Sequence, residues 1–416
     1  MAHIVSQTTM FDYSEVEKLG DLERLVLVLE GMKDEGLMRK LEKHRKNGRN
    51  EYPVRVMWNL ITALRVFEHK GVEPFRRECK RNSQLRRICG LKESKRRKHL
   101  VPAARVFSGF LKLLEIYIDD VKEIFEEQVD YLYETIIGFG KTLAGDGKII
   151  NSYAKGKCEK KQTDNRSEND AEYTIKEYHY EDSNGKKHVK KTTYFGFKVN
   201  ILCDVETELP IGFNVKRANY CEKKAMTELL ESLDEKQLKA ATALLLDRGY
   251  DSIELIRAIK EKGIIPVIDI RNMWKDGEST KQYKDTNIVY NAKGEVFIID
   301  EQSKQQKMKY EGYDRQKKCL RYSHNNKIYK IYTSYDERIF LPIARDSEKF
   351  KQLYKGRTAV ERLNGRLDRD YMFEDHYIRG LKKMELMLTL SFVVMNGMAN
   401  GKIMNKIGSI RSLKVI

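Results

Sequence analysis

Hydrophobic positions change their period near residue 141, and the change divides the chain. Before it, apolar residues recur at helical spacing over Asp21–Glu30, over Val54–Phe67 with Pro53 placed to start the helix, and over Ala103–Glu115. This pattern predicts an all-α N-terminal domain over residues 1–125. After it, the period shortens. Thr142–Ile150 reads as a strand, Tyr194–Cys203 and Leu209–Lys216 as a hairpin closed by Asp204–Glu208, and Ala243–Asp247 as a buried strand. One helix, around Cys221–Leu233, precedes that buried strand. A second, Ser252–Lys262, stops at Gly263 and leads into a strand at Ile264–Ile270.

Strand, strand, strand, helix, strand, helix, strand is the succession of an α/β ribonuclease-H-like core. The pattern then breaks. Asn287–Ile299 predicts a hairpin turning at Asn291–Gly294, and Lys327–Thr333 a further strand, so residues 271–345 read as a β-rich insertion. Helical pattern returns at Ser347, runs through Glu361 to about Asp370, and an apolar helix at Met384–Met398 closes the core. The expected organisation is a helical DNA-binding domain at 1–125, a catalytic core split between 141–270 and 346–400, and the insertion at 271–345. Leu386–Met398, the longest apolar stretch, is shorter than the ~20 residues of a membrane span and is interrupted by Thr389, Ser391 and Asn396. No membrane partner is expected. The N-terminus lacks a basic segment followed by an apolar one, so no secretion signal is expected either.

Charge sharpens the picture. A formal net charge of +17 over 416 residues points to a polyanion, nucleic acid first. Bases concentrate at Arg76, Arg77, Lys80, Arg81, Arg86 and Arg87 and again at Lys95–Lys98, with few acids between, which favours phosphate contact over a merely solvated face. A helix-turn-helix can be fitted to 73–89. Lysines after the first strand (Lys155, Lys157, Lys160, Lys161, Lys186, Lys187, Lys190, Lys191) have balancing acids in Glu168, Asp170 and Glu172, and read first as a solvated loop. The six cysteines form no CxxC pair and have no nearby histidine couple, which argues against zinc and a disulfide framework and for a reducing cytoplasm. An RNA-binding protein would need aromatics gathered on a single-strand-binding surface. The 23 tyrosines show no such cluster, and Tyr310, Tyr313 and Tyr322 in the insertion are explained as well by packing.

Three acidic residues then stand out. Asp146 lies in Gly145-Asp-Gly147 on the first strand, Asp247 closes Leu244-Leu-Leu-Asp247, and Glu361 sits far downstream on the returning helix. Each has a local alternative: a turn aspartate, a helix cap, and half of an Arg357–Glu361 pair at i,i+4. Taken together they say more, because the strand succession brings the two aspartates onto adjacent strands without having been chosen to do so. Carboxylates on separate elements suit divalent metal ions that activate water at a phosphodiester. Tyr354, Arg357, Glu361 and Asp368 fall on one helical face, beside a stripe of Arg362, Arg366 and Arg369. A metal-binding carboxylate beside arginines for phosphate is the combination that a DNA-cleaving site needs.

At these residues the chain resembles bacterial insertion-sequence DDE transposases. Tyr354-x2-Arg357-x3-Glu361 is similar to their tyrosine–arginine–glutamate signature, Asp247-Arg-Gly-Tyr-Asp251 to their second-aspartate motif, and Gly145-Asp-Gly147 to the first. The insertion before the glutamate and the basic helical segment around Leu85–Leu91 are also family traits, so the resemblance runs from about residue 50 to 400. Two departures stand beside it. The signature's lysine falls on Asp368, leaving Arg366 or Arg369 as substitutes, and Val101-Pro-Ala-Ala replaces a Ser/Thr-rich helix start. The resemblance implies two Mg²⁺ ions, with Mn²⁺ able to substitute, held by Asp146, Asp247 and Glu361. It also implies DNA phosphates held by Tyr354, Arg357 and the arginine stripe. The partners it implies are double-stranded DNA, both element terminal repeats and target, and a second copy of the chain when DNA is bound. A ribonuclease-H-fold nuclease that only hydrolyses, and a DNA-binding descendant that no longer cuts, are the alternatives.

Overall fold

The computed structural model describes residues 19–46, 51–92, 100–156, 167–181, 186–271 and 274–408. Lys95–Lys98, Lys157, Lys160 and Lys161 lie outside the described residues. The N-terminal part comprises helices α1 (Glu23–Glu30), α2 (Glu35–Arg45), α3 (Val54–Val66), α4 (Val72–Arg81), α5 (Ser83–Ile88), α6 (Ala104–Ile116) and α7 (Ile118–Thr135). Helix α7 runs through residue 125 to Thr135, and only six residues separate it from the first strand, which begins at Thr142. Helices α4 and α5 meet at Asn82, whose side chain caps α5 by accepting from the Leu85 N–H at 2.9 Å. Several bases of this segment serve the fold. Arg76 binds the Pro102 carbonyl and Glu73, Arg81 pairs with Glu78, and Arg86 binds the Cys79 and Lys80 carbonyls. Arg77, Lys80, Arg81 and Arg87 face solvent.

The central sheet is mixed. Its strands are β1 (Thr142–Asn151), β2 (Glu172–Glu181), β3 (Lys187–Asp204), β4 (Pro210–Arg217), β5 (Ala243–Leu246) and β6 (Ile265–Ile268). They lie in the order β2–β3–β1–β5–β6, with β4 also paired to β3. β1 is antiparallel to β3 and parallel to β5, and β5 is parallel to β6. The stretch after β1, expected as a solvated loop, instead contains β2 and the outer half of β3. That hairpin arm extends β3 beyond the core, with Tyr173, Ile175 and Val189 exposed on it.

Helices cover both faces. α8 (Glu222–Glu231) and α10 (Ile253–Glu261) lie on one, α9 (Glu235–Ala240) bridges to β5, and the other face receives the last helices. The single helix expected from Ser347 to Asp370 is broken at Gly356 into α11 (Glu348–Lys355) and α12 (Thr358–Arg369). A Cβ at Gly356 would lie 2.8 Å from Val205 and 3.0 Å from Leu245, so glycine lets the chain turn hard against the sheet. α13 (Leu381–Met404) is buried on nearly all sides, which explains its lack of a polar stripe. It packs against α1, α7, α3 and β4, so the N-terminal helices and the sheet share one apolar core. No helix among the described residues is long and apolar enough to cross a membrane. Glu168 and Asp170 accept from the Gly380 and Leu381 N–H groups at 2.7 and 3.1 Å, capping the positive end of α13. Arg65 on α3 is buried against the same helix, donating to Ser391 Oγ at 2.7 Å and to the Tyr371 carbonyl at 2.9 Å.

Between β6 and α11 lie β7 (Thr280–Gln282), β8 (Ile288–Asn291), β9 (Val296–Ile299), β10 (Gln305–Lys307), β11 (Lys309–Asp314), β12 (Cys319–His324) and β13 (Lys327–Tyr332). They form a four-stranded and a three-stranded sheet around a separate apolar core that includes Tyr290, Val296, Tyr322 and Phe340. Arg338 fastens this unit to the sheet by donating to Asp251 Oδ2 at 2.6 and 3.0 Å.

Candidate active site

β1 and β5 bring the two aspartates together. Gly145 pairs with Leu246 in parallel register, so Asp146 and Asp247 are the next residues on neighbouring strands and point to the same face. Gly145 and Gly147 point to the opposite face, where a Cβ at Gly145 would lie 2.7 Å from Leu246 and one at Gly147 3.0 Å from Tyr250 Oη. Small residues either side of Asp146 are therefore a packing requirement of β1 against α8 and the turn after β5. Asp247 Oδ1 accepts from the Arg248 N–H at 2.7 Å, which fixes its rotamer at the strand end. The cap of α10 is Ser252, not Asp247.

The polar face of α12 lies over β1. Asn364 donates to Asp146 Oδ2 at 3.1 Å, and Asp368 pairs with Lys148 at 2.6 Å. Lys148 lies two residues beyond Asp146 on the same face of β1. Asp146 has no cationic partner among the described residues. Burial pushes its carboxyl up to about 6, with neighbouring Glu222 adding to the rise against the Gly147 N–H, Lys176 and Arg357. Behind it, the Tyr250 hydroxyl is buried with no hydrogen-bond partner among the described residues, and burial with Asp146, Glu222 and Asp247 pushes it well above its ordinary value.

Glu361 lies on the same α12 face but its carboxylate pairs with Arg357 at 2.7 Å. The local i,i+4 pairing read from the sequence is thus present. Burial opposes charge on Arg357, but Glu361, Tyr354 and Asp247 outweigh it and raise its pKa. Arg357 also lies over the Tyr354 ring, 5.7 Å from its centroid. One guanidinium is therefore within electrostatic reach of all three acids. Among the described residues no three acidic, histidine or cysteine side chains come close enough together to hold a metal ion.

The arginine stripe divides on inspection. Arg366 is buried and donates to the Glu208 carbonyl at 2.8 Å and to Glu208 Oε2 at 3.2 Å. It does not share the solvent-facing position expected of a DNA contact. Arg362, half exposed, binds the same carboxylate at 2.7 Å, and Arg369 is exposed. Glu208, in the β3–β4 turn, thus clamps α12 to the sheet. Truncating one partner of a buried pair leaves the other charge uncompensated, so Glu208→Ala is expected to destabilise the protein by about 3 kcal/mol. Urea unfolding would measure it, and a variant within ~0.5 kcal/mol of wild type would show that Arg366 finds water instead. Asn364, Lys148 and Glu208 were not singled out from the sequence. Asn364 and Lys148 had a usable signal, one turn from Glu361 and two strand positions from Asp146. Glu208 had none.

A mixed sheet of this order, covered by helices on both faces, fits a ribonuclease-H-like core. A family model described as "Transposase DDE domain" matches residues 159–396, more than half of the chain. The chain belongs to that family and is a DDE transposase, and divalent-metal dependence follows for the family. The matched span contains Asp247 and Glu361 and begins after Asp146. Among solved structures, a piggyBac transposase synaptic complex with hairpin DNA is similar at a TM-score of 0.37 and 10% identity, over 94% of this chain and 77% of that one. A likeness that distant bears on neither the site nor the substrate. Comparison with curated proteins returns no match.

Proposed function

We propose that this transposase cuts DNA at the ends of an insertion sequence and transfers the freed 3′-hydroxyl to target DNA, with Asp146, Asp247 and Glu361 as its metal ligands. One observation carries the reading: Asp146, midway along β1, and Asp247, just past the end of β5, follow a paired Gly145 and Leu246 on neighbouring strands, beneath the α12 face that bears Glu361. The donor chemistry fits Mg²⁺, with Mn²⁺ as substitute, because every candidate ligand is a hard carboxylate oxygen. Asp146 fits it further: a desolvated carboxylate that makes no ion pair among the described residues is what a divalent ion would compensate. Glu361 joins the aspartates only when its side chain turns away from Arg357. Two bound ions would supply an activated water and charge stabilisation at the leaving oxygen.

The protein's own groups do the rest. Asn364 holds Asp146 in one orientation through its amide. Arg357, released from Glu361, has a guanidinium fork free for a phosphate near the cut, and Tyr354 keeps that fork stacked. Arg362 and Arg369 are offered for phosphate contact at the rim, whereas Arg366 keeps α12 in place. Lys148, held by Asp368, sets an ammonium beside the position where the family signature carries its lysine. The helices of 1–125 would hold element ends, the segments 141–270 and 346–400 form the catalytic core, and 271–345 the insertion. Pairing two terminal repeats calls for a homodimer on DNA.

The test uses purified protein, Mg²⁺ and labelled DNA carrying the gene with its own flanks. Cuts at two defined ends, lost in Glu361→Gln, are expected. The Arg357–Glu361 pair gives the non-cutting descendant its one point of support, and binding without any cut would favour it. Scattered cutting would favour a simple nuclease.

A further inference from the structure

A basic cleft lies at the opposite end of β5 from Asp247. A cleft of about 830 Å³ opens between the edge formed by Thr242 and Ile265, where β5 and β6 begin, and the β-rich insertion. Asp247 lies five residues further along the chain from Thr242, roughly 16 Å at strand rise, so the cleft is separate from the acidic site. Cations converge on it from both walls: Lys239 on α9, Lys260 on α10, and Arg315, Lys317 and Lys318 around the β11–β12 turn. Among the described residues, Lys260, Arg315, Lys317 and Lys318 make no side-chain ion pair. The one acid lining the cleft, Glu337, is already occupied by Arg257 at 3.0 and 3.2 Å. Lys239 is tied only to the exposed Glu235. Burial lowers the Lys260 ammonium from its ordinary value, a cost that an anion in the cleft would remove.

A charge run along one helix is usually a solvated face. Here the bases come from separate elements of two packed units and face a shared concavity with no free acid, which is the electrostatic footprint of a polyanion. The charged groups offered to the cleft are ammonium and guanidinium donors from both walls, and backbone phosphates are the anions such donors contact most often.

We propose that this cleft holds the phosphate backbone of duplex DNA away from the point of cutting, a binding site additional to the carboxylate centre. The proposal rests on the transposase reading above. Lys239 and Lys260 on the sheet side and Arg315, Lys317 and Lys318 on the insertion side would grip the backbone from both walls. Such a grip would fix the insertion relative to the bound DNA without selecting sequence.

The test measures duplex binding by fluorescence anisotropy across a salt series, using a long duplex that carries one element end with its flanks. The variant removes three exposed charges together: Arg315→Gln, Lys317→Gln and Lys318→Gln. Each lost phosphate contact reduces the slope of log K against log salt by ~0.9, so the slope should become shallower by about 2–3. Lys327→Gln with Lys330→Gln, on β13 outside the cleft, should leave the slope unchanged and controls for bulk charge. Lys239→Glu with Lys260→Gln, on the opposite wall, should repeat the loss and guards against a local effect of the turn. Wild-type slopes in both cleft variants would overturn the proposal. A loss seen only with single-stranded RNA would overturn it in favour of an RNA site. No duplex binding by the wild type at any salt would overturn both the cleft and the transposase reading beneath it.

Discussion

Asp146→Asn is expected to cut DNA at least ~10³-fold more slowly than wild type and yet to melt at a higher temperature in metal-free buffer at pH 8. The first effect follows from the proposed ligand role: charge stabilisation by a bound ion is worth several kcal/mol, and each 1.36 kcal/mol is tenfold in rate. The second follows from burial. The folded carboxyl titrates near 6 because it is desolvated, whereas an unfolded aspartate titrates near 4. Between those values the folded protein binds a proton that the unfolded chain has released, so stability falls as pH rises through the window. Above about pH 6 the deficit is complete, on the order of 1–2 kcal/mol allowing for partial solvent screening. Asparagine cannot ionise, keeps an oxygen for the Asn364 amide, and escapes the deficit. Calorimetric scans at pH 4 and pH 8 should therefore show the two proteins converging at the acidic end. Mg²⁺ should raise the wild-type melting temperature at pH 8 and leave the variant's unchanged. An equal Mg²⁺ shift in both proteins would remove Asp146 from the ligand set.

This pairing of low stability with activity was only half legible in the sequence. The strands around Asp146 and Asp247 could be read because β5 and β6 are short apolar runs and β1, the inner part of β3 and β4 carry enough apolar residues between turns, and their succession sets the two aspartates side by side. The charge state of Asp146 could not be read, since it depends on burial first and then on Glu222, Lys176 and Arg357 arriving from other elements. The outer arm was missed for a different reason. In β2, polar residues occupy both faces and the apolar ones, Tyr173 and Ile175, point to solvent, so no buried side gives the strand a period.

Helix α12 shows a third kind of limit. Tyr354, Arg357 and Glu361 keep helical step across Gly356, so periodicity predicts one helix where close approach to Val205 and Leu245 enforces two. Likewise Arg362, Arg366 and Arg369 form a stripe by spacing, but Glu208, 158 residues before Arg366, decides that the middle one is buried. Local spacing fixes which residues share a face. What that face meets is a tertiary fact.

Gly401→Ala is expected to be strongly destabilising although it adds a single methyl away from the active site. α13 crosses α1 with backbones in contact: a Cβ at Gly401 would lie 2.1 Å from the Leu27 carbonyl oxygen, and one at Gly31 would lie 2.1 Å from that of Gly397. Neither obstacle is a side-chain tip that could swing aside, so the helices must separate along their length. Overpacking a close contact costs ~1–3 kcal/mol where side chains can adjust, and a backbone obstacle places this variant at or above the top of that range. Because α13 also packs against α7 and β4, the separation would loosen the N-terminal helices from the sheet that carries Asp146. Gly109→Ala, in the middle of α6 with nothing within 4 Å of the added methyl, supplies the contrast. There only helix propensity changes, and stability should rise by roughly 0.5–1 kcal/mol. Urea midpoints of the two variants on either side of wild type would support the backbone crossing. A Gly401→Ala midpoint equal to wild type would mean that α1 and α13 do not touch, and that the single core joining the N-terminal helices to the sheet is held by side chains alone.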